Sequence, residues 1–450
     1  LGFAGAGLGA AAAAAPVLHD LDELSSSYTN FKYPWWIKEV DEPTVPLDWT
    51  KIDYKAPFTG YKTSNPTGAN RKARMSAGMQ QGVEGSRLKD YALTRASTGV
   101  QPSSSANPWD GPRPYFKIAD YGVPAYTGTP EENLHMVRAA IHYFGSPRLG
   151  CLELDPSTNR KLYGTGVVWD SDEAVAYEDS AGNKVIPKTC RYNMCWPVLQ
   201  QPQIARCTKE PLVGGPFDGY PPFLGKATVY VGYSDISCLK YKMGKFLKNL
   251  GRQALTLGTM PVAWGPLLVA EYCRAVMACS PEYGLAIRMT PVMITDLQIA
   301  ETKPIDGGVH KFCDACGRCA EQCPTGSIEK EMGPCPNPGE VYKVDGQPIN
   351  RNPGVLSWRI NWETCIDYGA PIDCHICQWS CPFNHAPDPA MIHGLVSATI
   401  GTTSIFNSFF ATMDKQFDYA TQRSADDWWN RNLNTWEHDT TYGRGSGKNV

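Results

Sequence analysis

Cysteines in the last third of the chain occur at spacings that suit iron–sulfur chemistry. The first run is Cys313-x2-Cys316-x2-Cys319-x3-Cys323-Pro324, and the second is Cys365-x8-Cys374-x2-Cys377-x3-Cys381-Pro382. Each 4Fe–4S cluster takes four thiolates, and the cysteine just before proline binds the cluster of the other run. The two runs therefore predict two 4Fe–4S clusters and a role in electron transfer.

This pairing rule assigns the eight cysteines to two sets. The first set, the predicted ligands of one cluster, is Cys313, Cys316, Cys319 and Cys381. The second set, the predicted ligands of the other, is Cys323, Cys365, Cys374 and Cys377. The eight residues between Cys365 and Cys374 depart from the tight bacterial spacing of two, and zinc or disulfides are the alternative for all eight.

Composition narrows the class of protein. The 450 residues allow two or three domains, and a formal net charge of −3 with no long basic run argues against nucleic acid as a partner. The other cysteines show no paired spacing and lie mostly among apolar residues. We expect them to be buried thiols, with disulfides as the alternative: Cys151, Cys190, Cys195, Cys207, Cys238, Cys273, Cys279 and Cys335.

The first 16 residues are uncharged and dominated by Gly, Ala and Leu. This segment is shorter than the about 20 apolar residues that a membrane-spanning helix needs. We interpret residues 1–19 as the remnant of an export signal; an Ala-rich first helix is the alternative. An exported protein with iron–sulfur clusters must fold before export, which points to the twin-arginine (Tat) route. The twin arginines themselves are not in the sequence.

The rest of the chain divides into four predicted parts. Residues 20–128 are irregular, with Pro, Gly, Ser and aromatics interspersed, and are expected to wrap around a core. Residues 129–303 alternate between helix and strand patterns, which favours an α/β core. Residues 304–392 hold the cysteine runs, and the aromatic-rich tail 393–450 is expected to pack on the core.

Several elements of the core are predicted from local signals. Thr129-Pro130-Glu131-Glu132 forms a capping box with proline at the first helical position, and Gly145 ends that helix. Further helices are predicted at 236–250 and 266–277. Strands are predicted at 149–154, 253–257 and 285–290, with a turn at 281–284.

A two-cluster carrier needs far fewer residues than this chain has, so the remainder suggests a catalytic centre. Neither a G-x-G-x-x-G loop nor a Walker sequence is present, which removes the usual nicotinamide or flavin fingerprint without excluding flavin. A carrier or a subunit of a larger complex is the non-enzymatic alternative.

The order of these features resembles that of the corrinoid-dependent reductive dehalogenases. The resemblance rests on the cysteine runs, the lead-in Lys303-Pro304-Ile305-Asp306-Gly307-Gly308-Val309, Tyr233-Ser234 and the Pro281-Glu282-Tyr283-Gly284 turn before Arg288. The segment Tyr33-Pro34-Trp35-Trp36 resembles the segment that follows the leader in the chloroethene-reducing members of the family. The resemblance implies an α+β or α/β protein with a nitroreductase-like corrinoid-binding core and a C-terminal ferredoxin-like module.

The resemblance also implies the site. A base-off corrinoid would lie in the core near one cluster, and the D-x-H-x-x-G cobalt-binding motif is absent, as in the family. Tyr233 matches the family's proton donor and Arg288 the basic residue beside it. A phenol has a pKa near 10, and an adjacent guanidinium stabilises the phenolate. Thr259, which falls where some members have asparagine, and Trp358, a candidate pocket lining, are the predicted cofactor-binding residues.

The function implied is replacement of a carbon-bound halogen by hydrogen on a small organohalide such as a chlorinated ethene. An epoxyqueuosine-reductase-like enzyme is the alternative with the same cofactors. Expected partners are a small membrane-anchor subunit and a respiratory electron donor. Since no transmembrane segment is predicted, the enzyme would sit at the outer face of the cytoplasmic membrane through that anchor.

Overall fold

A computed structural model of the protein describes most of the predicted core and part of the cysteine-rich region. The described residues are 32–52, 76–97, 107–207, 223–259, 261–275, 277–288, 292–330, 343–344, 347–348, 354–355, 358, 360–361, 364–365, 374–385, 391–417 and 422–431. The interpretation of residues 1–19 as an export signal falls outside these ranges and stays a prediction.

The strands are short and the helices vary in length. The strands are β1 Lys38–Glu39, β2 Gly150–Glu153, β3 Val167–Ser171, β4 Tyr177–Glu178, β5 Lys184–Pro187, β6 Tyr192–Cys195, β7 Val198–Leu199, β8 Glu271–Tyr272, β9 Ala278–Cys279, β10 Ile287–Arg288, β11 Val292–Thr295, β12 Ile305–Asp306, β13 Lys343–Val344 and β14 Gln347–Pro348. The helices are α1 Leu88–Ser97, α2 Pro130–Phe144, α3 Pro202–Ala205, α4 Phe223–Asn249, α5 Pro261–Leu268, α6 Val309–Cys316, α7 Arg318–Glu321, α8 Ile376–Trp379, α9 Met391–Thr402, α10 Asn407–Phe417 and α11 Ala425–Trp429. Single 3-10 turns occupy Ile118–Tyr121, Asn159–Leu162 and Pro382–His385.

An antiparallel sheet in the order β11-β6-β2 organises the core. Met194 of β6 lies opposite Cys151 on one side and Met293 on the other. One apolar cluster joins these three residues to α2 and α4, and a second joins Leu154, Cys195 and Ile294 to α5. The sheet is therefore covered on both faces, which explains why all four residues of β11 are buried.

The helix that starts after Thr129 confirms the prediction from its capping box. Thr129 Oγ1 accepts from the backbone N–H of Glu132, and the Glu132 carboxylate accepts from the N–H of Thr129. Gly145 ends the helix with φ 115°, a left-handed conformation that glycine adopts at low cost.

Other boundaries differ from the predictions. Helix α4 starts at Phe223, well before the predicted 236, because its first half is apolar without a clear helical stripe. The predicted helix 266–277 is wrong: α5 ends at Leu268, Pro266 lies inside it, and strand β8 follows. The predicted strand 253–257 is reduced to a single bridge between Leu255 and Ile294. Strand β10 lies within the predicted strand 285–290, of which residues 289–290 are outside the described residues.

The N-terminal segment that the structure describes lies against the cysteine-rich part. Strand β1 pairs antiparallel with β12, and the ring of Tyr33 lies 4.5 Å from the guanidinium carbon of Arg148. Trp36 packs with Ile305 and Ala398 in one apolar cluster. None of the helices in the described part of the chain has the length and hydropathy that a bilayer crossing requires.

Among the described residues, no cysteine outside the two sets forms a disulfide. Cys238 is half-buried, and six others are buried: Cys151, Cys190, Cys195, Cys207, Cys273 and Cys279. Cys335 lies outside the described residues. The expectation of buried thiols rather than disulfides is therefore confirmed for those six.

Candidate functional site

Tyr233 and Arg288, the two residues predicted to handle the proton, come together in the structure. Tyr233 lies on α4, and Arg288 lies on β10, where it pairs with Val198 of β7. The guanidinium carbon of Arg288 is 5.0 Å from the centre of the Tyr233 ring, within the range of a cation–π contact. The Tyr233 side chain is 41% exposed, so its ring is accessible to a ligand.

Gly232 makes this close approach of helix and strand possible. A Cβ atom at this position would lie 3.0 Å from Cγ of Arg288 and 3.4 Å from Cγ of Gln200. Gln200 directly follows β7. Its side-chain amide donates to the carbonyl oxygen of Thr228, and its backbone N–H donates to the carbonyl oxygen of Ala286. A glycine before Tyr233 therefore lets the arginine stem lie against the helix.

Arg288 is held in a buried environment. Burial lowers the pKa of Arg288, while the Tyr233 phenol and the Cys377 thiol act in the opposite direction. Its Nε atom is buried and has no hydrogen-bond partner among the described residues. The guanidinium thus links the tyrosine electrostatically to a cysteine of the second set and keeps one donor for a ligand.

Asn384, which sequence reasoning missed, ties the second cysteine run to the strand that carries Arg288. Its Oδ1 accepts from the backbone N–H groups of Leu285 and Ala286, at 2.9 and 3.1 Å. Its Nδ2 donates to the carbonyl oxygen of Gln378 at 2.6 Å, and the side chain is buried. The position of Arg288 therefore depends on the segment between Cys377 and Cys381.

The cysteines of the two sets act on one another electrostatically. Burial raises the pKa of Cys316 to about 12, and Cys381 of the same set adds to the rise. Burial also raises the pKa of Cys374 to about 12, with Cys365 and Cys323 adding to it. Among the described residues, no three His, Cys, Asp or Glu side chains converge on one metal-ion position. The ligand sets stay a prediction.

Helix α6, which carries Cys313 and Cys316, begins at a buried carboxylate. Glu271 of β8 accepts from the backbone N–H groups of Gly307, Val309 and His310 at 2.8, 3.2 and 3.3 Å. These groups lack partners within the helix, and a negative charge there is favourable. Burial nevertheless raises the pKa of Glu271 to about 7. No pattern in the sequence pointed to this contact.

Trp358 lies beside the first cysteine run rather than beside Tyr233. It is 2% exposed, and its ring lies 4.7 Å from the guanidinium carbon of Arg274 and 5.0 Å from the ring of His310. Arg274 donates to the carbonyl oxygen of Cys313. The role of Trp358 as a cofactor contact stays a prediction. From its position beside the first cysteine run, the predicted cofactor nearest to it is an iron–sulfur cluster.

Thr259 uses its hydroxyl within the protein. The hydroxyl donates to the carbonyl oxygen of Leu162 at 2.8 Å and accepts from the indole N–H of Trp264 at 2.6 Å. Trp264 is fully buried in the cluster under the central sheet. These bonds give Thr259 a structural role, and its predicted cofactor contact stays a prediction.

Comparison with known proteins places these features in a family. No family model matches the chain. A chloroethene reductive dehalogenase of Dehalococcoides mccartyi is 30% identical over 522 aligned positions, covering 95% of this chain and 94% of the relative. A trichloroethene reductive dehalogenase from another strain of that species is 25% identical with the same coverage.

Solved structures give the same result for the fold. A catabolic reductive dehalogenase matches with a TM-score of 0.57 and 17% identity over 85% of this chain and 49% of that one. A reductive dehalogenase described in terms of B12-dependent dehalogenation matches with a TM-score of 0.58 and 16% identity, over 86% and 49%. This chain spans about half the length of these two structures, and it shares their mixed α/β fold.

The relationship to these two relatives extends over nearly the whole of both chains. The comparison thus favours the first of the functions that the sequence left open. With 30% identity over 95% of its length, this chain belongs to the reductive dehalogenases, oxidoreductases that act on carbon–halogen bonds.

Proposed function

We propose that this enzyme replaces a halogen of a small organohalide by hydrogen, in the reaction R–X + 2e⁻ + H⁺ → R–H + X⁻. The observation that carries the proposal is the Tyr233–Arg288 pair, in which an accessible phenol lies against a guanidinium on the strand that Asn384 ties to the second cysteine run. A proton source and an electron route thus meet at one place. Relatives named for chloroethene and trichloroethene suggest chlorinated ethenes as the substrate class.

The two cysteine sets would hold two 4Fe–4S clusters in a ferredoxin-like module. The donor chemistry fits, because each set offers four thiols and the four irons of a cube each take a different one. Seven of the eight belong to one apolar cluster with Phe312 and Phe383, which would keep water from the clusters. Hydrogen bonds to Thr325, Ser327 and Ile328 outweigh burial and lower the pKa of Cys323, which favours the thiolate form that binds iron.

A corrinoid would occupy the nitroreductase-like core beside Tyr233. The fit rests on two features: the half-exposed phenol and the buried Nε of Arg288, which has no partner among the described residues. When bound, the corrinoid would supply low-valent cobalt, a reductant able to break a carbon–halogen bond that no side chain can attack. The protein would supply position, protons and exclusion of water.

Tyr233 would donate the proton that replaces the halogen. Its hydroxyl is the acid, and the phenolate that remains is stabilised by the adjacent guanidinium of Arg288. Arg288 keeps its charge through the reaction because a guanidinium is not deprotonated in proteins. Gly232 and Asn384 hold this geometry from the helix side and the strand side.

The partners and location follow from the resemblance. We infer that a small membrane-anchor subunit attaches the enzyme to the outer face of the cytoplasmic membrane after export of the folded protein. A respiratory donor would deliver electrons to the clusters.

The test is cofactor analysis and turnover of anaerobically purified protein. We expect about eight iron atoms per chain from the two sets of four thiols, about one cobalt from the proposed corrinoid, and chloride release from trichloroethene with reduced methyl viologen. Iron without cobalt, in protein produced where corrinoid is present, would leave an electron carrier. Both cofactors without chloride release from any chlorinated ethene would contradict the proposed substrate class.

A further inference from the structure

Arg274 is a buried cation at the first cysteine run. It lies in the turn between β8 and β9, and its side chain is only 3% exposed. Its Nε donates to the carbonyl oxygen of Cys313 at 3.2 Å, and Nη2 donates to the same oxygen. Nη1 donates to the carbonyl oxygens of Glu329 and Lys330, and the Trp358 ring covers the guanidinium at 4.7 Å.

The hydrogen bonds of Arg274 leave its charge uncompensated. Across the described residues, every acceptor of its guanidinium is a main-chain carbonyl oxygen, which is neutral. By contrast Arg318, the other buried arginine at this run, lies 3.7 Å from the carboxylate of Asp414. A buried guanidinium without a countercharge is strongly unfavourable. Arg274 therefore needs an anion that its polar contacts do not supply.

The thiols of the first set are the groups that can supply this anion. The Arg274 guanidinium donates to the carbonyl oxygens of Cys313 and Asp314, which places it against the helix that carries Cys313 and Cys316. A 4Fe–4S cube with four thiolates is anionic and gains a further negative charge on reduction. A fixed cation beside it favours the reduced state, because net charge is one of the factors that set cluster potentials.

We propose that Arg274 is the countercharge of the first cluster, and that it raises the midpoint potential of that cluster. The inference rests on the proposed function, since it requires the cluster. Arg274 is a positioning residue here: it also fastens the Cys313 turn to residues 329 and 330. Trp358 shields the guanidinium from water and so strengthens its effect on the cluster.

The experiment is a redox titration of both clusters by electron paramagnetic resonance in anaerobic protein. Arg274→Gln removes the charge but keeps an amide donor. We expect the first cluster to titrate at a lower potential. At the wild-type midpoint, its ratio of reduced to oxidised form should fall on the order of tenfold. The second cluster should move much less. Cys316→Ser identifies which signal belongs to the first cluster.

Two further variants separate charge from structure. Arg274→Lys keeps the charge but not the several N–H donors of the guanidinium, and its first cluster should titrate close to the wild-type potential. Arg252→Gln is the matched control, because Arg252 also donates to a carbonyl, that of Tyr126, but belongs to the Asp296 side of the core. It should leave both midpoints unchanged.

The outcomes distinguish this inference from the proposed function. Wild-type protein that binds no iron would overturn both. Iron-loaded Arg274→Gln with both midpoints at wild-type values would overturn only the role of Arg274. If Arg274→Gln loses the first cluster, Arg274→Lys decides between charge and hydrogen bonding. A cluster retained in Arg274→Lys supports the need for the charge. Loss of the cluster in both variants would show that the hydrogen bonds of the guanidinium, and not its charge, are what matters, and would overturn the inference.

Discussion

The guanidinium of Arg288 faces the ring of Tyr233 at 5.0 Å, so a fixed positive charge lies against the residue proposed to give up a proton. This contact crosses from a strand to a helix and depends on Gly232 between them. Because the phenol is half-exposed and the guanidinium largely covered, a ligand can reach the acid without displacing the charge.

Tyr233→Phe should remove the proton donor and keep the ring. We expect turnover to fall about 10²- to 10⁴-fold, the usual contribution of a positioned general acid. Iron and cobalt contents should not change. Tyr241→Phe is the control, because Tyr241 lies on the same helix and also contacts a cation, Lys245, at 5.6 Å. Equal chloride release by both variants would rule out Tyr233 as the acid.

Arg288→Lys should make the reaction sensitive to alkaline pH. Burial lowers the pKa of Arg288, yet a guanidinium stays charged, whereas a lysine ammonium in the same place would have a lowered pKa and lose its charge as the pH rises. We expect near wild-type turnover at low pH and a progressive loss above neutrality. Arg288→Gln should be slower on the order of 10²-fold at every pH. A pH profile of Arg288→Lys parallel to wild type would contradict the role of the charge.

Gly284→Ala should disrupt the contact between the Pro281–Gly284 turn and the second cysteine run. Gly284 has φ +63°, and a Cβ there would lie 2.3 Å from Oδ1 of Asn384. Gly122→Ala is the matched control, with φ +66° and nothing within 4 Å. Both variants carry the backbone strain of about 1–2 kcal/mol. Only Gly284→Ala should also lose iron and activity, measured by iron content and thermal unfolding.

Local sequence signals predicted those parts of the fold that local chemistry determines. The capping box at Thr129 and Glu132 gave the first core helix, and the alternation of residues 129–303 gave a mixed α/β class. The start of one helix was predicted at Pro266 rather than at Pro261, because a proline can also lie inside a short helix. Strand β8 was missed since two residues carry no periodicity.

The site was predicted from resemblance rather than from pattern. Tyr233 and Arg288 have no spacing that would bring them together, and their contact arises from the packing of α4 against β10. Glu271, Arg274 and Asn384 carry no motif at all. Each acts through main-chain groups distant in sequence, and such partners cannot be read from one sequence without the fold.

Glu271 should make stability depend on pH in the weakly acidic range. Its pKa is raised by burial from 4.5 to about 7, so the folded protein holds this proton more tightly than the unfolded chain. The resulting contribution to stability is fully present below pH 4.5 and is lost as the pH rises through about 7. The shift corresponds to about 3 kcal/mol over that window.

Glu271→Gln tests this, because the glutamine carbonyl can still accept from Gly307 and Val309 but does not titrate. We expect the unfolding temperature of Glu271→Gln to rise relative to that of wild type as the pH rises from 4.5 to 7. Glu271→Ala should be less stable at all pH values, by about 1–3 kcal/mol for each N–H left unpaired. A pH-independent difference between Glu271→Gln and wild type would show that the carboxyl keeps an ordinary pKa and that the backbone N–H groups, not burial, control its charge.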